Sequence, residues 1–530
     1  MKKRSKLNLS NFHNSTFKMG YLYPCNCMEV LPGDTIQMST SVFLRMTPMV
    51  APVMHPTYMF KHDFFVPSRV IANKIRDDGG VDFDFESFIT GGPDGTDSQT
   101  IPTLTLNKTN APVGSLPDAF GIPVQNFGDS GSFKVNMLPF AAYFMIWNEY
   151  YRDQTLQDPI DFSIWTDGWA RGDAWVLHRP CWSKDYFTTA TPNPQLGPQV
   201  TIPVNLTSSG GDPLITATTT LSGGGVSFSN AGPADNTTWK TAYGLKTQGN
   251  RLSWRVGDGG SGSQQDSTLN YSNPSAKTTV TWNGGSDTQG NINVNDVREA
   301  MAIQRFEEHR SLYGARYDDY LRFLGVRPQD ARLQLPEYLG GFSAPVQFSE
   351  VLQTSAGEFG GVGDLYGHGI SAGRSRRIRR FIPEHGYIIS IICVRPIPVY
   401  SQGLERMWSK SNRLDIWQKE LEHIGQQEVL NSEVYADGTA QDGNVFGYQN
   451  RYDEYRRGVN IVTGEFRTNQ NFWTLAREFA NRPALNGSFV QCNPSDRIFQ
   501  VAEQNSDQCY AMIKNNIIAR RLISRNGNPI

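Results

Sequence analysis

Tyr387-Ile388-Ile389-Ser390-Ile391-Ile392-Cys393-Val394 is apolar on both faces and lies between Gly386 and Pro396. A strand with one wet face alternates polar and apolar side chains, so this pattern predicts a central strand buried on both sides. Upstream, Ile36, Met38, Val42 and Leu44 fall on one face and Thr35, Gln37, Ser39, Ser41 and Arg45 on the other, with Thr40 and Phe43 out of step. That is the signature of a half-buried strand. A second alternating run, closed by Pro67, places Tyr58, Phe60, His62, Phe64 and Val66 on one side. Further strands are predicted at Gly458 to Val462, Arg497 to Val501 and Gln508 to Ile513. Strands at both ends of the chain without regular βα alternation point to an antiparallel sandwich rather than a doubly wound sheet.

Helical spacing appears in fewer places. Phe140, Tyr143, Phe144, Trp147 and Tyr151 recur behind Pro139, which suits a first helical turn. Asp296-x-x-Glu299 reads as a capping box that opens a helix, with a second helical piece around Tyr317, Tyr320, Leu321 and Leu324. A short helix is predicted from Phe472 to Ala480, ending near Pro483. Residues 77–132, rich in Asp, Gly, Pro and Thr, are predicted as a surface loop excursion from a single domain spanning 1–530. Residues 201–290 contain no Glu and are dense in Gly, Ser and Thr, with short β-like pieces at Leu214 to Leu221, Leu252 to Val256 and Lys277 to Trp282. They read as a β-rich inserted subdomain.

The chain has 530 residues, 49 basic and 51 acidic, and only 19% of them are charged. Its net charge of -2 excludes a uniformly basic nucleic-acid glove. No apolar segment approaches the roughly 20 residues needed to cross a bilayer, and the basic N-terminus lacks a signal-peptide core, so neither membrane insertion nor secretion is expected. The six cysteines are too sparse for a disulfide scaffold and read as reduced thiols.

Two motifs invite a catalytic reading. Gly369-Ile370-Ser371-Ala372-Gly373 matches a nucleophile elbow, but a strand before the serine and a helix after it are missing from the pattern, and a Gly-rich loop fits better. Gly257-Asp258-Gly259-Gly260-Ser261-Gly262 matches a dinucleotide fingerprint, yet it sits in the Gly-rich tract with no helix behind it. Cys25-x-Cys27 has the wrong spacing for a zinc pair. No catalytic residue, metal site or cofactor is assigned.

Arg374-Ser375-Arg376-Arg377-Ile378-Arg379-Arg380 is the sharpest charge feature. Guanidinium forks match phosphate oxygens, so Arg374, Arg376, Arg377, Arg379 and Arg380 are candidate DNA contacts. Lys2, Lys3, Arg4 and Lys6 form a second candidate arm. A subunit contact or a solvated strand edge is the competing reading of the arginine run. Trp408, Trp417 and Trp473 are candidate anchors between subunits, with core packing the commoner role for any one of them, and two mixed aromatic and arginine segments, Ser401 to Asp415 and Phe446 to Arg457, read as interface or lumen surfaces.

The segments Glu29-Val30-Leu31-Pro32-Gly33-Asp34-Thr35, Asn148-Glu149-Tyr150-Tyr151-Arg152-Asp153-Gln154, Lys184-Asp185-Tyr186-Phe187-Thr188, the run from Asp330 to Gly341, Glu384-His385-Gly386 and the run from Phe446 to Tyr452 together resemble the major capsid proteins of microviruses, closest to the gokushovirus branch. The resemblance covers nearly the whole chain; 201–290 and 77–132 depart from it most. It implies an eight-stranded antiparallel jelly roll, sixty copies in a T=1 icosahedral shell, and a circular single-stranded DNA genome inside. It also implies an insertion that projects from the outer surface and contacts a host-cell surface receptor, for which 201–290 is the candidate. The resemblance places the protein in the virion, assembled in the bacterial host cytoplasm. A chain of net charge -2 leaves genome phosphates to be neutralised by a small basic DNA-binding protein, polyamines or metal cations. The rival expectation is a β-sandwich carbohydrate-active enzyme or an adhesin.

Overall fold

The computed structural model describes residues 4–91, 99–126, 131–165, 176–195, 334–352, 365–500 and 506–524, with the strand and helix segments between 205 and 313. Lys2, Lys3, the helical piece around Tyr317 to Leu324 and the glycine motif at 257–262 lie outside the described residues. The chain divides into two compact units, one formed by Met1–Pro198 with Arg305–Ile530 and the other by Gln199–Gln304.

The strands of the first unit are β1 (Ser5–Asn8), β2 (Asn11–Phe17), β3 (Tyr23–Val30), β4 (Thr35–Met46), β5 (Thr57–Pro67), β6 (Thr103–Asn107) and β7 (Ser132–Asn136) before the second unit. The second unit holds β8 (Asn205–Ser208), β9 (Leu214–Thr220), β10 (Ser227–Ala231), β11 (Gly244–Gln248), β12 (Arg251–Val256), β13 (Gln265–Asn270), β14 (Lys277–Asn283) and β15 (Thr288–Asn291). After it come β16 (Glu337–Pro345), β17 (Gln347–Leu352), β18 (Leu365–Arg374), β19 (Ile378–Phe381), β20 (Gly386–Pro396), β21 (Gln426–Leu430), β22 (Val445–Asn450) and β23 (Cys509–Arg521). The helices include α1 (Ser68–Asp77), α2 (Phe85–Thr90), α3 (Leu116–Ala119), α4 (Leu138–Ile146) and α5 (Val294–Tyr313).

Every ladder among the described strands is antiparallel, as the antiparallel reading of the sequence expects. One sheet runs β16-β5-β20-β3; a seven-stranded sheet runs β1-β23-β4-β18-β17, with β19 also paired to β4 and β2 to β23. Both sheets feed one interior: Val42 and Leu44 of β4 and Ile513 of β23 cluster with Met59 of β5 and with Ile392 and Val394 of β20. Ile36, Met38 and Ile517 likewise meet Val30, Phe65 and Ile388. The other face of the smaller sheet is covered by α1 and α4, where Phe60, Phe64, Tyr387, Ile389 and Ile391 pack against Ile71, Tyr143 and Phe144. This is why β20 is apolar on both faces. Helix α4 has no exposed stripe because it lies wholly in that cluster, and it passes into a π turn at Trp147–Tyr151.

Four expectations are corrected. The described parts of 77–132, namely 77–91, 99–126 and 131–132, are not a surface excursion: Phe83, Leu104, Leu106, Leu116 and Val124 belong to the largest core cluster. No α-helix forms at Phe472 to Ala480; a single 3-10 turn at Asn471–Trp473 gives way to irregular chain, where the Arg477 amide donates to Val399 O and Leu475 and Ala476 are drawn into the interior. The segment at Gly458 to Val462 is not a strand, nor is the described part of Arg497 to Val501, whose last residue lies outside the described residues: it has a single bridge from Phe499 to Met49 while the Arg497 guanidinium serves carbonyls at Thr474 and Ala476. Helix α5 begins at Val294, so Asp296 lies inside its first turn, where its carboxylate complements the helix dipole. The β-like pieces read between 201 and 290 do form strands, β9, β12 and β14.

Candidate nucleic-acid interface

The side of the seven-stranded sheet that faces away from the shared interior is built by the alternation of β4 and β23. Even-numbered positions of β23 point outward, presenting Tyr510, Met512, Lys514 and Arg520, while Ala511, Ile513, Ile517 and Ala519 are buried. Cross-strand register orders this face into rows. Lys6, Arg520, Thr35 and Phe381 share one row across β1, β23, β4 and β19. Asn8, Ile518, Gln37 and Arg379 form the next. Further along, Phe12, Lys514, Ser41 and Arg374 line up across β2, β23, β4 and β18, followed by Asn14, Met512, Phe43 and Ala372, and then Thr16, Tyr510, Arg45 and Ile370.

Strands β1, β2, β4, β18, β19 and β23 contain no Asp or Glu, yet they carry Lys6, Arg45, Arg374, Arg379, Arg380, Lys514, Arg520 and Arg521. Although the remaining edge strand, β17, carries Glu350, six of the seven strands of this sheet are thus free of carboxylates and together carry eight cations. Cations and rings are paired on it: the Lys514 ammonium lies 5.4 Å from the Phe12 ring centroid, Arg45 lies 5.5 Å from Phe43 and Arg4 lies 5.3 Å from Phe381. An open trough of about 950 Å³ crosses the Phe12, Phe43, Arg45, Tyr510 and Met512 end, with Asp118 and Asp507 also in its lining. Positive charge that tracks a backbone, beside rings with an accessible face, is the chemistry that holds single-stranded nucleic acid without reading its sequence.

The arginine run divides. Arg374 ends β18, Arg379 lies in β19 opposite Gln37, and Arg376 and Arg377 occupy the turn between the two strands; all four are exposed. That turn is fixed by Ser375, whose hydroxyl accepts from the Thr40 amide at 2.7 Å while its own amide donates to Thr40 O at 2.8 Å. Arg380 is different: its guanidinium is half-buried and ion-paired with Glu337 of β16, so it ties the two sheets together and is not available to a ligand. Arg521 is likewise engaged, with Asp34 and with Glu29 O. Arg4 donates to Thr35 Oγ1 at 3.2 Å, which brings the end of the N-terminal arm onto the same face.

Sequence reasoning missed Arg45, Lys514 and Arg520, and with them Phe12, Tyr510 and Met512. Part of the signal was present in β23, where Lys514, Asn516 and Arg520 fall on one face and Ile513, Ile517 and Ala519 on the other, but the strand was read only as far as Ile513.

The catalytic motif fails geometrically. Ser371 lies within β18, is buried, and donates its hydroxyl to Pro345 O at 2.9 Å. It stands on a strand and not at a strand-to-helix turn, so no oxyanion hole adjoins it. All six cysteines are free, and burial pushes the Cys25 and Cys393 thiols up to about 12, which removes them as nucleophiles near neutral pH. Among the described residues no cluster of His, Cys, Asp and Glu could hold a metal ion, and no helix is long and apolar enough to cross a membrane.

The profile of the phage family described as Capsid protein (F protein) matches residues 1–530. The capsid protein VP1 of Chlamydia phage 1 is 30% identical, the match covering 96% of this chain and 92% of that protein. The capsid protein VP1 of Bdellovibrio phage phiMH2K is 32% identical over 92% of this chain and 88% of its own length. That of Spiroplasma virus 4 is 26% identical over 92% and 87%. With a whole-length profile match, two relatives at or above 30% identity and no catalytic geometry at Ser371, the chain belongs to the F-protein family of phage capsid proteins.

Proposed function

We propose that this major capsid protein closes into a T=1 shell of sixty copies around a circular single-stranded DNA genome, with the outward face of the seven-stranded sheet turned to the lumen. As a capsid protein it is a structural component of the virion and not an enzyme. The observation that carries the orientation is the acid-free set of strands bearing Lys514, Arg520, Arg379 and Arg374 beside Phe12 and Tyr510. Arg376, Arg377 and Arg4 extend the same surface, and Lys2 and Lys3 would continue it along the N-terminal arm.

Strand order supports an eight-stranded jelly roll. Taking β2, β3, β4, β5, β16, β18, β20 and β23 in chain order, the sheets read first-eighth-third-sixth and second-seventh-fourth-fifth. The unit Gln199–Gln304 enters between the fourth and fifth of these strands, a connection that can lengthen without disturbing either sheet. Within it the polar, Gly-rich stretch 201–290 is the part proposed to contact the host-cell receptor. A face of this size cannot neutralise a whole genome when the chain is net -2, so a small basic protein, polyamines or cations share that task.

The orientation is tested on dissociated subunits by titrating labelled single-stranded DNA at several salt concentrations. Replacing Arg374, Arg379 and Lys514 by Glu should weaken binding and flatten the salt dependence by about 0.7 for each phosphate no longer neutralised. Unchanged affinity and slope would place the DNA elsewhere.

A further inference from the structure

Residues 404–424 invert the usual order of a surface loop. Two of their four cations are drawn inward while Arg413 and Lys419 stay exposed: Arg406, with a 20% exposed side chain, donates to Glu433 at 2.9 Å and to Glu428 O at 2.6 Å. Lys410, 13% exposed, pairs with Glu454 at 2.8 Å and lies 3.9 Å from the Tyr455 ring centroid. Their apolar side chains point to solvent. Trp408 is 70% exposed and Trp417 48%, and Leu404, Met407, Leu414, Ile416 and Ile424 are exposed beside them in the sequence.

The loop is held in shape, as a preformed contact surface must be. Asp415 accepts the amides of Ser411 and Asn412 at 3.1 and 2.8 Å, and the buried Tyr452 hydroxyl accepts the Gln418 amide at 3.2 Å. Tyr452 itself has a φ of 65°, the only positive value recorded for a residue other than glycine among those described. A non-glycine residue in this region costs of order 1–3 kcal/mol and persists where surrounding structure fixes it. Beside Trp408 opens a pocket of about 440 Å³ walled by Tyr186, Tyr400, Leu404, Tyr455 and Ile461.

We propose that this loop and pocket are the surface on which a second copy of the same chain docks, with Trp408 and Trp417 as its anchors. Charge selects the partner. Residues 404–424 carry Glu405, Asp415, Glu420 and Glu422 against Arg406, Lys410, Arg413 and Lys419, a balanced set that offers nothing to a polyanion and suits an identical surface chemistry. Fully covered tryptophans ringed by paired charges are the usual energetic centre of such contacts. The inference rests on the shell-forming reading above.

Hydroxyl-radical labelling of wild-type shells and of subunits dissociated from them tests it. Trp408 and Trp417 should be labelled at least about 5-fold less in shells, the protection expected of fully desolvated anchors. A Trp408→Ser/Trp417→Ser variant should keep the circular dichroism of the subunit and sediment as subunits at concentrations where the wild type sediments as shells. Shells in which both tryptophans label as fast as in free subunits would overturn the docking surface alone, as would normal shell yield from the double variant. Wild-type protein that forms no shells would overturn the shell reading and this inference with it.

Discussion

Lys61 and Asp63 stand two residues apart on β5 and form an ion pair that is fully buried between the two sheets. The pair joins both halves of the sandwich. Ser390 of β20 donates to Asp63 at 2.5 Å, Lys61 donates to Thr40 of β4 at 2.9 Å, and Thr40 donates in turn to Asn515 of β23 at 3.0 Å. The same Thr40 backbone fixes Ser375 in the arginine turn, so one polar network links the interior to the proposed DNA face.

Removing one partner should strand a buried charge. Lys61→Met is expected to cost about 3–5 kcal/mol in urea denaturation of the subunit, whereas Lys61→Met/Asp63→Leu should cost less than the single change because no ion is left unpaired. A double variant as unstable as the single one would mean that the ion pair is not the term that matters.

Stability should fall with acid through His62. Burial, aided by the Arg395 charge, pulls its pKa down from 6.5 to about 4. The folded state therefore requires a neutral ring, 2.8 Å from the Tyr151 hydroxyl. This contribution is complete above pH 6.5 and is lost as pH falls from 6.5 to about 4, amounting to an effect on the order of 3 kcal/mol. His13 and His55 shift in the same direction, chiefly by burial. Chemical-shift titration should find the His62 ring neutral at pH 5.5; a midpoint near 6.5 would contradict the account.

Phe12 is 68% exposed, so Phe12→Ala should leave the melting temperature nearly unchanged. If bases stack on this ring, the same change should weaken single-stranded DNA binding by about 1–3 kcal/mol. Unaltered affinity would remove Phe12 from the interface.

Ser371→Ala should lose only the hydrogen bond to Pro345 O, about 1 kcal/mol of stability. Neither form should hydrolyse an activated ester above the buffer rate, and serine-dependent turnover would revive the nucleophile reading.

Much of this architecture is legible from alternation, including where alternation breaks. Thr40 and Phe43 are the two misfits in β4. Thr40 occupies a core-facing position because it serves Lys61, and Phe43 occupies an outward one beside Arg45 on the basic face. The double-sided burial of β20 is likewise written in its composition. Pairing across long separations is not: nothing local to β4 names β23 as its neighbour, although Ser41 lies opposite Lys514. Local charge density marks Arg374 through Arg380 as a group, but the Glu337 that engages Arg380 comes from another sheet. Composition misleads at 77–132, because a few apolar residues such as Leu104 and Leu106 suffice to anchor a polar segment in the core.

The most direct measurement is an electron cryomicroscopy reconstruction of DNA-filled particles at side-chain resolution. Sixty copies should close the shell, with Lys514, Arg520, Arg379 and Phe12 facing the lumen against nucleic-acid density. Particles in which that sheet face looks outward to solvent, or purified protein that remains monomeric under assembly conditions, would contradict the account.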